Sequence, residues 1–213
     1  AILGLARSGI AAAYKIRELG GTAFLSDAQP IEKISGADTI ASDFDCEFGG
    51  HSDRLFQCDT WIVSPGIPLN LPIIAKARAK GIELISEIEL GFRVKSSDSK
   101  VVAVSGSNGK STTVSLIHHI LKNMGYNSIL AGNIGSAFCC WPIEKPGIDF
   151  IVLEVSSFQL DLIDSFRPDV AVLLNITPDH LDRYASFADY AASKIRLFTN
   201  QTNTDTAVIC LDS

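Results

Sequence analysis

The stretch VVAVSGSNGKSTTVSLIHHIL, residues 101–121, decides the fold of this chain. An apolar, valine-rich run, a turn with two glycines and an amphipathic segment follow one another, which predicts a strand, a loop and a helix. The loop closes with Gly109-Lys110-Ser111, as phosphate-binding loops do. The common pattern G-x-x-x-x-G-K-[ST] requires a glycine where this chain has Val104. The nearest upstream glycine is Gly106, so this loop is the shorter by two residues.

The same alternation of apolar runs and amphipathic stretches extends over the whole chain, which predicts an α/β protein with mainly parallel sheets. DFIVLEVS and DVAVLLN are near-continuous apolar runs, typical of central parallel strands. The polar stretch KSSDSK predicts a linker. We therefore expect a Rossmann-like domain over residues 1–93 and a P-loop-type, mainly parallel α/β domain over residues 94–213.

Composition limits the classes of function. The 213 residues carry a net charge of −6, so the sequence lacks the basic surface that a nucleic-acid partner requires. No run approaches the roughly 18 apolar residues that span a bilayer, and no signal peptide is recognisable. Five cysteines without C-x-x-C spacing favour reduced thiols in a cytoplasmic protein. We expect a monomer with no nucleic-acid partner and no membrane insertion.

The first glycine turn, GLARSG at residues 4–9, lies between a predicted strand and a predicted helix. Its pattern is G-x-A-x-x-G, with Ala6 where a dinucleotide fingerprint has its middle glycine. Asp27 ends the next strand, where a ribose-binding acid belongs. SPGIP, residues 64–68, follows a later strand and could border the same crevice. The motif alone leaves two interpretations open: a tight turn without ligand, or a nucleotide or nucleotide sugar at the helix N-terminus.

The later loop has more support, because a buried strand precedes it and an amphipathic helix follows it. Its backbone N–H groups and the charge of Lys110 would hold β- and γ-phosphates, and the hydroxyl of Ser111 could bind Mg²⁺. Glu154 lies near the end of an apolar run, where a buried charge calls for a partner such as a metal. The alternative is that the strand ends earlier and the carboxylate is solvated.

Two further residues lie beyond or beside the strand ends. His180 follows a strand that ends near Asn175, at the side where open α/β sheets bind ligands. Lys194 shares one predicted helix face with apolar residues, and the sequence alone favours a snorkelling lysine over a functional one. By contrast, His118 and His119 fall within a predicted helix and are expected to be packing or surface residues.

Four motifs together, GSNGKSTT, GNIG, LEVSSFQL and ITPDHLDRY, resemble those of the Mur ligases, ATP-dependent amide-bond synthetases of peptidoglycan assembly. The resemblance covers essentially the whole chain, and its closest form is with members that add D-glutamate to UDP-N-acetylmuramoyl-L-alanine through an acyl phosphate. It implies a first domain for the UDP part of the substrate, a central ATPase domain and a third domain. Residue 1 lies inside a predicted strand and the chain stops within the central domain. We therefore expect a fragment that cannot complete the ligation alone.

The resemblance also implies residue roles. ATP phosphates would be bound by the loop Gly106, Ser107, Asn108, Gly109, Lys110, Ser111 and Thr112. Two Mg²⁺ ions would be held by Ser111, Glu154, His180 and Lys194, the lysine being carbamylated. The catalytic set would be Lys110, Glu154, His180 and Lys194. The muramoyl-alanine end of the substrate would contact Asn133, Ser156 and His180, and the uridine diphosphate would contact Ser8, Asp27 and Gly66.

Two alternatives remain at this stage. Another ligase of the superfamily, such as a folate polyglutamate synthetase, would share the central domain but lack a UDP-binding first domain, so residues 1–93 argue against it. A nucleotide-binding P-loop module without ligase activity belongs to a different class. The short loop and the segment DHLDRY disfavour a standard P-loop enzyme.

Overall fold

The computed structural model describes residues 1–179 and 182–210, which form two five-stranded parallel sheets, each with helices on its faces. The first sheet has the strand order β3-β2-β1-β4-β5. Its strands are β1 Ile2–Leu3, β2 Phe24–Asp27, β3 Asp45–Phe48, β4 Thr60–Val63 and β5 Glu83–Ile85. The helices of this half are α1 Arg7–Glu18, α2 Ala37–Asp43, α3 Pro72–Ala79 and α4 Glu87–Val94.

The second sheet has the order β10-β9-β6-β8-β7, again all parallel. Its strands are β6 Lys100–Ser105, β7 Ser128–Gly132, β8 Phe150–Glu154, β9 Val170–Leu173 and β10 Thr206–Ile209. The helices are α5 Lys110–Asn123, α6 Ser157–Leu160 and α7 Phe187–Ile195. The central strand β6 is buried except at its first residue, as its apolar run predicts. The α/β class with parallel sheets is thus confirmed.

The sequence pattern did not indicate one strand and one helix of the first half. Strand β3, Asp45–Phe48, is an edge strand with two acidic residues in four, and α2 is only seven residues long. Their pairing and packing are tertiary effects, because neither segment carries enough apolar periodicity to signal itself. The predicted domain boundary near residue 94 stays a prediction. None of the helices in the described part of the chain is both long and apolar enough to span a membrane.

Helix α4 connects the two halves through buried carboxylates. Glu89 accepts hydrogen bonds from the backbone N–H groups of Asp164 and Phe166, at 3.0 and 2.9 Å. Glu87 accepts one from the N–H of Cys139 at 2.5 Å, and its second oxygen is buried with no hydrogen-bond partner among the described residues. Burial raises the pKa of Glu87 to about 7, against the opposing effect of the Cys139 hydrogen bonds.

Replacing Glu87 with glutamine is expected to flatten part of the pH dependence of unfolding. The folded-state pKa of about 7 lies above the ordinary glutamate pKa of 4.5, so the contribution of Glu87 to stability is full below pH 4.5 and is lost as the pH rises through 7. At pH 8 we expect the free energy of unfolding of E87Q to exceed that of the parent chain by up to about 3 kcal/mol, since each unit of pKa difference is worth about 1.4 kcal/mol. Urea titrations at pH 5 and pH 8 would measure this, with exposed Glu32→Gln as control. An equal pH slope for E87Q and the parent chain would contradict it.

Candidate active site

The carboxyl ends of the parallel strands β6, β7, β8 and β9 lie along one edge of the second sheet. Pairing aligns Val104 of β6 and Gly132 of β7 with Glu154 of β8. On the other side, Ser105 pairs with Leu173 of β9. The loops that follow these strands therefore meet at the same edge, which is where open α/β sheets place their ligands.

The loop after β6 has the shape of a phosphate-binding loop. Gly106 and Gly109 have φ angles of +150° and +84°, and the latter is the residue that precedes helix α5. Both conformations favour glycine. Helix α5 begins at Lys110, so the first N–H groups of the helix lie at the edge of the sheet with no helical carbonyl to bind. The ammonium group of Lys110 donates to the carbonyl oxygens of Gly106 and Ser107, both at 2.8 Å.

Glu154 is the buried charge of this site. It is the last residue of β8 and only 3% exposed, which excludes the alternative of a solvated carboxylate. The hydroxyl of Ser111 donates to its Oε2 at 2.6 Å, and the amide Nδ2 of Asn133 donates to its Oε1 at 2.9 Å. No cationic side chain pairs with it among the described residues. A buried carboxylate beside a hydroxyl is a donor set that suits Mg²⁺.

Gly132, which ends the neighbouring strand β7, and Asn133 directly after it pack closely against the backbone of Glu154. Gly132 has a φ of +99°, and a Cβ there would lie 2.3 Å from the carbonyl oxygen of Glu154, so only glycine allows the approach. Asn133 donates its backbone N–H to the same carbonyl at 2.9 Å. Within residues 1–179 and 182–210, no three His, Cys, Asp or Glu side chains form a metal-binding group. The expected ligands Ser111 and Lys194 are of other types, and His180 lies outside the described residues.

Lys194 is buried at the same loop. Its side chain is 2% exposed, and its ammonium group donates to the carbonyl oxygen of Gly106 at 2.8 Å. It also lies 4.7 Å from the ring centre of Tyr190. The sequence favoured the interpretation of Lys194 as a snorkelling lysine. That interpretation is wrong, because helix α7 packs this residue inward. Burial, and then the neighbouring charge of Lys110, lower the pKa of Lys194 to about 8, which favours the neutral amine.

Ser156 caps the N-terminus of helix α6. Its hydroxyl accepts from the backbone N–H of Gln159, whose side-chain oxygen in turn accepts from the N–H of Ser156. This capping box explains why a polar residue stands two positions beyond the end of strand β8. The role expected for Ser156 in binding substrate stays a prediction. As expected, His118 and His119 lie on α5, where His118 is half-buried against Ser128 and His119 is exposed.

In the first half, the glycine turn between β1 and α1 is closely packed. The carboxylate of Asp27 accepts from the backbone N–H groups of Leu5 and Gln29, at 2.6 and 2.8 Å. A Cβ on Gly9 would lie 2.1 Å from the carbonyl oxygen of Gly4, so this position requires glycine. Ser8 is the second residue of α1, near its N-terminus. Roles for Ser8, Asp27 and Gly66 in binding UDP stay predictions.

Two arginines bridge the halves near these loops. Arg7 donates to the carbonyl oxygen of Gly135 in the GNIG loop at 2.8 Å. Arg183, in the segment DHLDRY, donates to the carbonyl oxygens of Pro65 and Gly66, each at 3.3 Å. The SPGIP loop and the GNIG loop are thus each linked to the other half of the chain. Their side-chain partners lie more than 100 residues away in sequence, so no local pattern indicated them.

Three residues that sequence reasoning missed hold the phosphate loop. Asn175, after β9, forms side-chain hydrogen bonds with the backbone N–H and carbonyl oxygen of Asn108. The hydroxyl of Tyr190 lies 3.0 Å from that of Ser107, which also accepts from the backbone N–H of Thr177 at 3.0 Å. Only Asn175 carried a signal in the sequence, as a polar residue just beyond an apolar strand. Thr177 and Tyr190 carried none, because their contacts with Ser107 are long-range.

Comparison with known proteins agrees with this geometry. The family model "Mur ligase middle domain" matches residues 104–213, and "Mur ligase MurD-like, N-terminal domain" matches residues 1–86. A UDP-N-acetylmuramoylalanine–D-glutamate ligase of Cytophaga hutchinsonii is 45% identical over 206 residues, covering 96% of this chain and 46% of the relative. The same-named ligase of Alkaliphilus oremlandii is 39% identical, covering 99% and 47%. The chain spans about half the length of these curated relatives.

Solved structures share the fold. The UDP-N-acetylmuramate:L-alanyl-γ-D-glutamyl-meso-diaminopimelate ligase of Neisseria meningitides aligns over 100% of this chain and 71% of its own, with a TM-score of 0.66 and 18% identity. The UDP-N-acetylmuramate–alanine ligase of Thermotoga maritima aligns over 98% and 48%, with a TM-score of 0.56 and 20% identity. With its phosphate loop, its buried Glu154 and family matches over both halves, the chain belongs to the Mur ligase family.

Proposed function

We propose that this chain supplies the UDP-substrate-binding and ATP-binding parts of a ligase that adds D-glutamate to UDP-N-acetylmuramoyl-L-alanine. One observation carries the proposal: buried Glu154 is held between Ser111 of the phosphate loop and Asn133 of the GNIG loop. This places a hydroxyl, a carboxylate and the start of helix α5 at one point. The names of the relatives that match both halves support the choice of substrates.

The chain's own groups suit a transfer of phosphate to a carboxylate. The N–H groups at the start of α5 and the ammonium of Lys110 would hold the triphosphate of ATP and neutralise its charge. Ser111, Glu154, His180 and Lys194 would hold two Mg²⁺ ions, which offset the repulsion between the carboxylate and the triphosphate. Asn133, Ser156 and His180 would orient the alanyl carboxylate towards the γ-phosphate. A carboxylate oxygen would bond to the γ-phosphorus as the bond to ADP breaks, which gives an acyl phosphate and ADP. The amine of D-glutamate would then attack the acyl carbon, lose a proton and expel phosphate to form the amide.

Lys194 would act as a carbamate. Its neutral amine nitrogen would bond to the carbon of CO₂ and release one proton to solvent, which gives a carboxylate-like metal ligand. Burial and the proximity of Lys110 both favour the neutral amine, since each lowers the pKa of Lys194. Ser8, Asp27 and Gly66 would contact the uridine diphosphate at the N-terminus of α1. We also propose that the protein acts as a monomer and that it works in the cytoplasm. Its five free cysteines are in keeping with that compartment.

A thermal-shift titration of this 213-residue chain tests the proposal. MgATP and UDP-N-acetylmuramoyl-L-alanine should each raise the melting temperature, by mass action on the folded state. Stabilisation by MgATP alone would favour the second candidate, a nucleotide-binding module without ligase activity. The absence of any shift with either compound would contradict both candidates. We expect no D-glutamate-dependent phosphate release from this chain alone, and detectable release would overturn that expectation.

A further inference from the structure

Two N–H groups of the phosphate loop, those of Ser107 and Asn108, do not face the edge where a ligand would lie. The N–H of Ser107 donates to the backbone carbonyl of Asn175 at 3.0 Å. The N–H of Asn108 donates to the side-chain oxygen of Asn175 at 2.9 Å. These two bonds use donors that were expected to face the phosphates. The donors left at this edge are therefore those around Gly109 and the start of α5.

The side-chain amide of Asn175 forms two hydrogen bonds with the backbone of Asn108. While its Oδ1 accepts from the N–H of Asn108, its Nδ2 donates to the carbonyl oxygen of the same residue at 3.1 Å. This two-point contact imitates the pairing of one strand residue with its neighbour. Asn175 lies two residues beyond the end of β9, which is hydrogen-bonded to β6. It thus continues the pairing of β9 with β6 into the loop.

The shortness of the loop explains why this support is needed. From Gly106 to Gly109 only two residues intervene, against four in the common pattern. The loop is also closely packed: a Cβ on Gly106 would lie 3.2 Å from the Cβ of Leu174 and 3.3 Å from the carbonyl oxygen of Asn175. A shorter loop has fewer N–H groups with which to surround a phosphate. Its remaining donors must therefore be held in place from outside.

We propose that Asn175 is a positioning residue for nucleotide binding: it holds Ser107 and Asn108 so that the N–H groups from Gly109 onward form the phosphate site. It acts through the loop and does not itself contact the phosphates. The inference rests on the proposed binding of ATP at this loop and deepens it. The second half of the chain also contains a comparable asparagine far from the loop. Asn200 donates through its Nδ2 to the carbonyl oxygens of Asp164 and Phe166, at 2.7 and 3.0 Å.

The test compares Asn175→Ala with Asn200→Ala in the 213-residue chain. Both variants lose two side-chain hydrogen bonds to backbone groups, so both should melt at lower temperature. Only N175A should weaken MgATP binding, by about tenfold or more, which corresponds to the loss of about one hydrogen bond to a charged ligand. Hydrogen exchange at the amide of Asn108 should become faster in N175A and stay unchanged in N200A. If N175A does not fold, Asn175→Ser, which leaves a hydroxyl in the gap, carries the same expectation.

The outcomes separate this inference from the function on which it rests. A parent chain that binds no MgATP would overturn the proposed function and the inference with it. A parent chain that binds MgATP, with N175A binding equally well, would overturn the inference alone. Equal loss of affinity in N175A and N200A would show general destabilisation and would also overturn it. In a ligation-competent polypeptide that contains this chain, N175A should raise KM for ATP and leave kcat at saturating ATP within about twofold.

Discussion

Replacing Lys194 with alanine is expected to abolish ligation, with a loss of roughly 10³-fold or more in kcat. The buried ammonium group lies 2.8 Å from the carbonyl oxygen of Gly106, beside the phosphate loop, and no other lysine of α7 could take its place. As a carbamate, this residue would contribute a negative charge and a metal ligand. The assay is release of phosphate with UDP-N-acetylmuramoyl-L-alanine and D-glutamate, in a ligation-competent polypeptide that contains this chain.

Two controls separate chemistry from packing. Lys194→Met keeps most of the buried aliphatic volume without the ammonium group, so it should fold like the parent protein and be equally inactive. Lys122→Ala, on the exposed end of α5, should keep full activity. A small carboxylate such as acetate should partly restore K194A if the lysine acts as a carbamate. Parent-like turnover in K194A would contradict any catalytic role for Lys194, and failure of rescue would contradict the carbamate.

Replacing Glu154 with glutamine is expected to remove the Mg²⁺ dependence of nucleotide binding. The carboxylate accepts from Ser111 and Asn133, and an amide of the same shape can still accept one of these bonds. What the variant loses is the charge, and with it at least about 100-fold in Mg²⁺ affinity, since changes even outside the direct ligands cost 10- to 100-fold. Titration with ATP, in Mg²⁺ and in a chelator, measures the difference.

Asp169→Asn is the matched control for this substitution. Asp169 lies at the opposite, amino-terminal edge of the same sheet, where its carboxylate accepts from the N–H of Val101 at 2.8 Å. This variant should lose some stability but keep the full effect of Mg²⁺ on ATP binding. If E154Q still bound ATP more tightly in Mg²⁺ than in chelator, by the same factor as the parent chain, Glu154 would not be a metal ligand.

Much of this site could be predicted because parallel strands place their ends together. Glu154 ends one apolar run and the loop before Ser111 follows another, so the alignment of parallel strand ends predicts that they meet. Their hydrogen bond of 2.6 Å lies where that reasoning expects it. The tight backbone of the loop could also be anticipated from its two glycines, since both have positive φ angles that other residues rarely adopt.

The burial of Lys194 could not be predicted in the same way. Periodicity along α7 shows which residues share a face, but not how deeply that face packs or whether the end of a long side chain reaches water. The partner of Lys194 is the carbonyl oxygen of Gly106, 88 residues away in the sequence. The sequence therefore favoured the snorkelling interpretation, which the fold contradicts.

The sequence by itself thus determined the α/β class, the parallel sheets, the phosphate loop and the resemblance to the Mur ligases, because these follow from local periodicity and short motifs. Only the tertiary structure decided that Lys194 is buried, that Glu87 and Glu89 join the halves through α4, and that Asn175 holds the shortened loop. The physical reason is common to all of these. Each is a hydrogen bond, or the exclusion of water, between residues far apart in the chain, and nothing in a local pattern records such a partner.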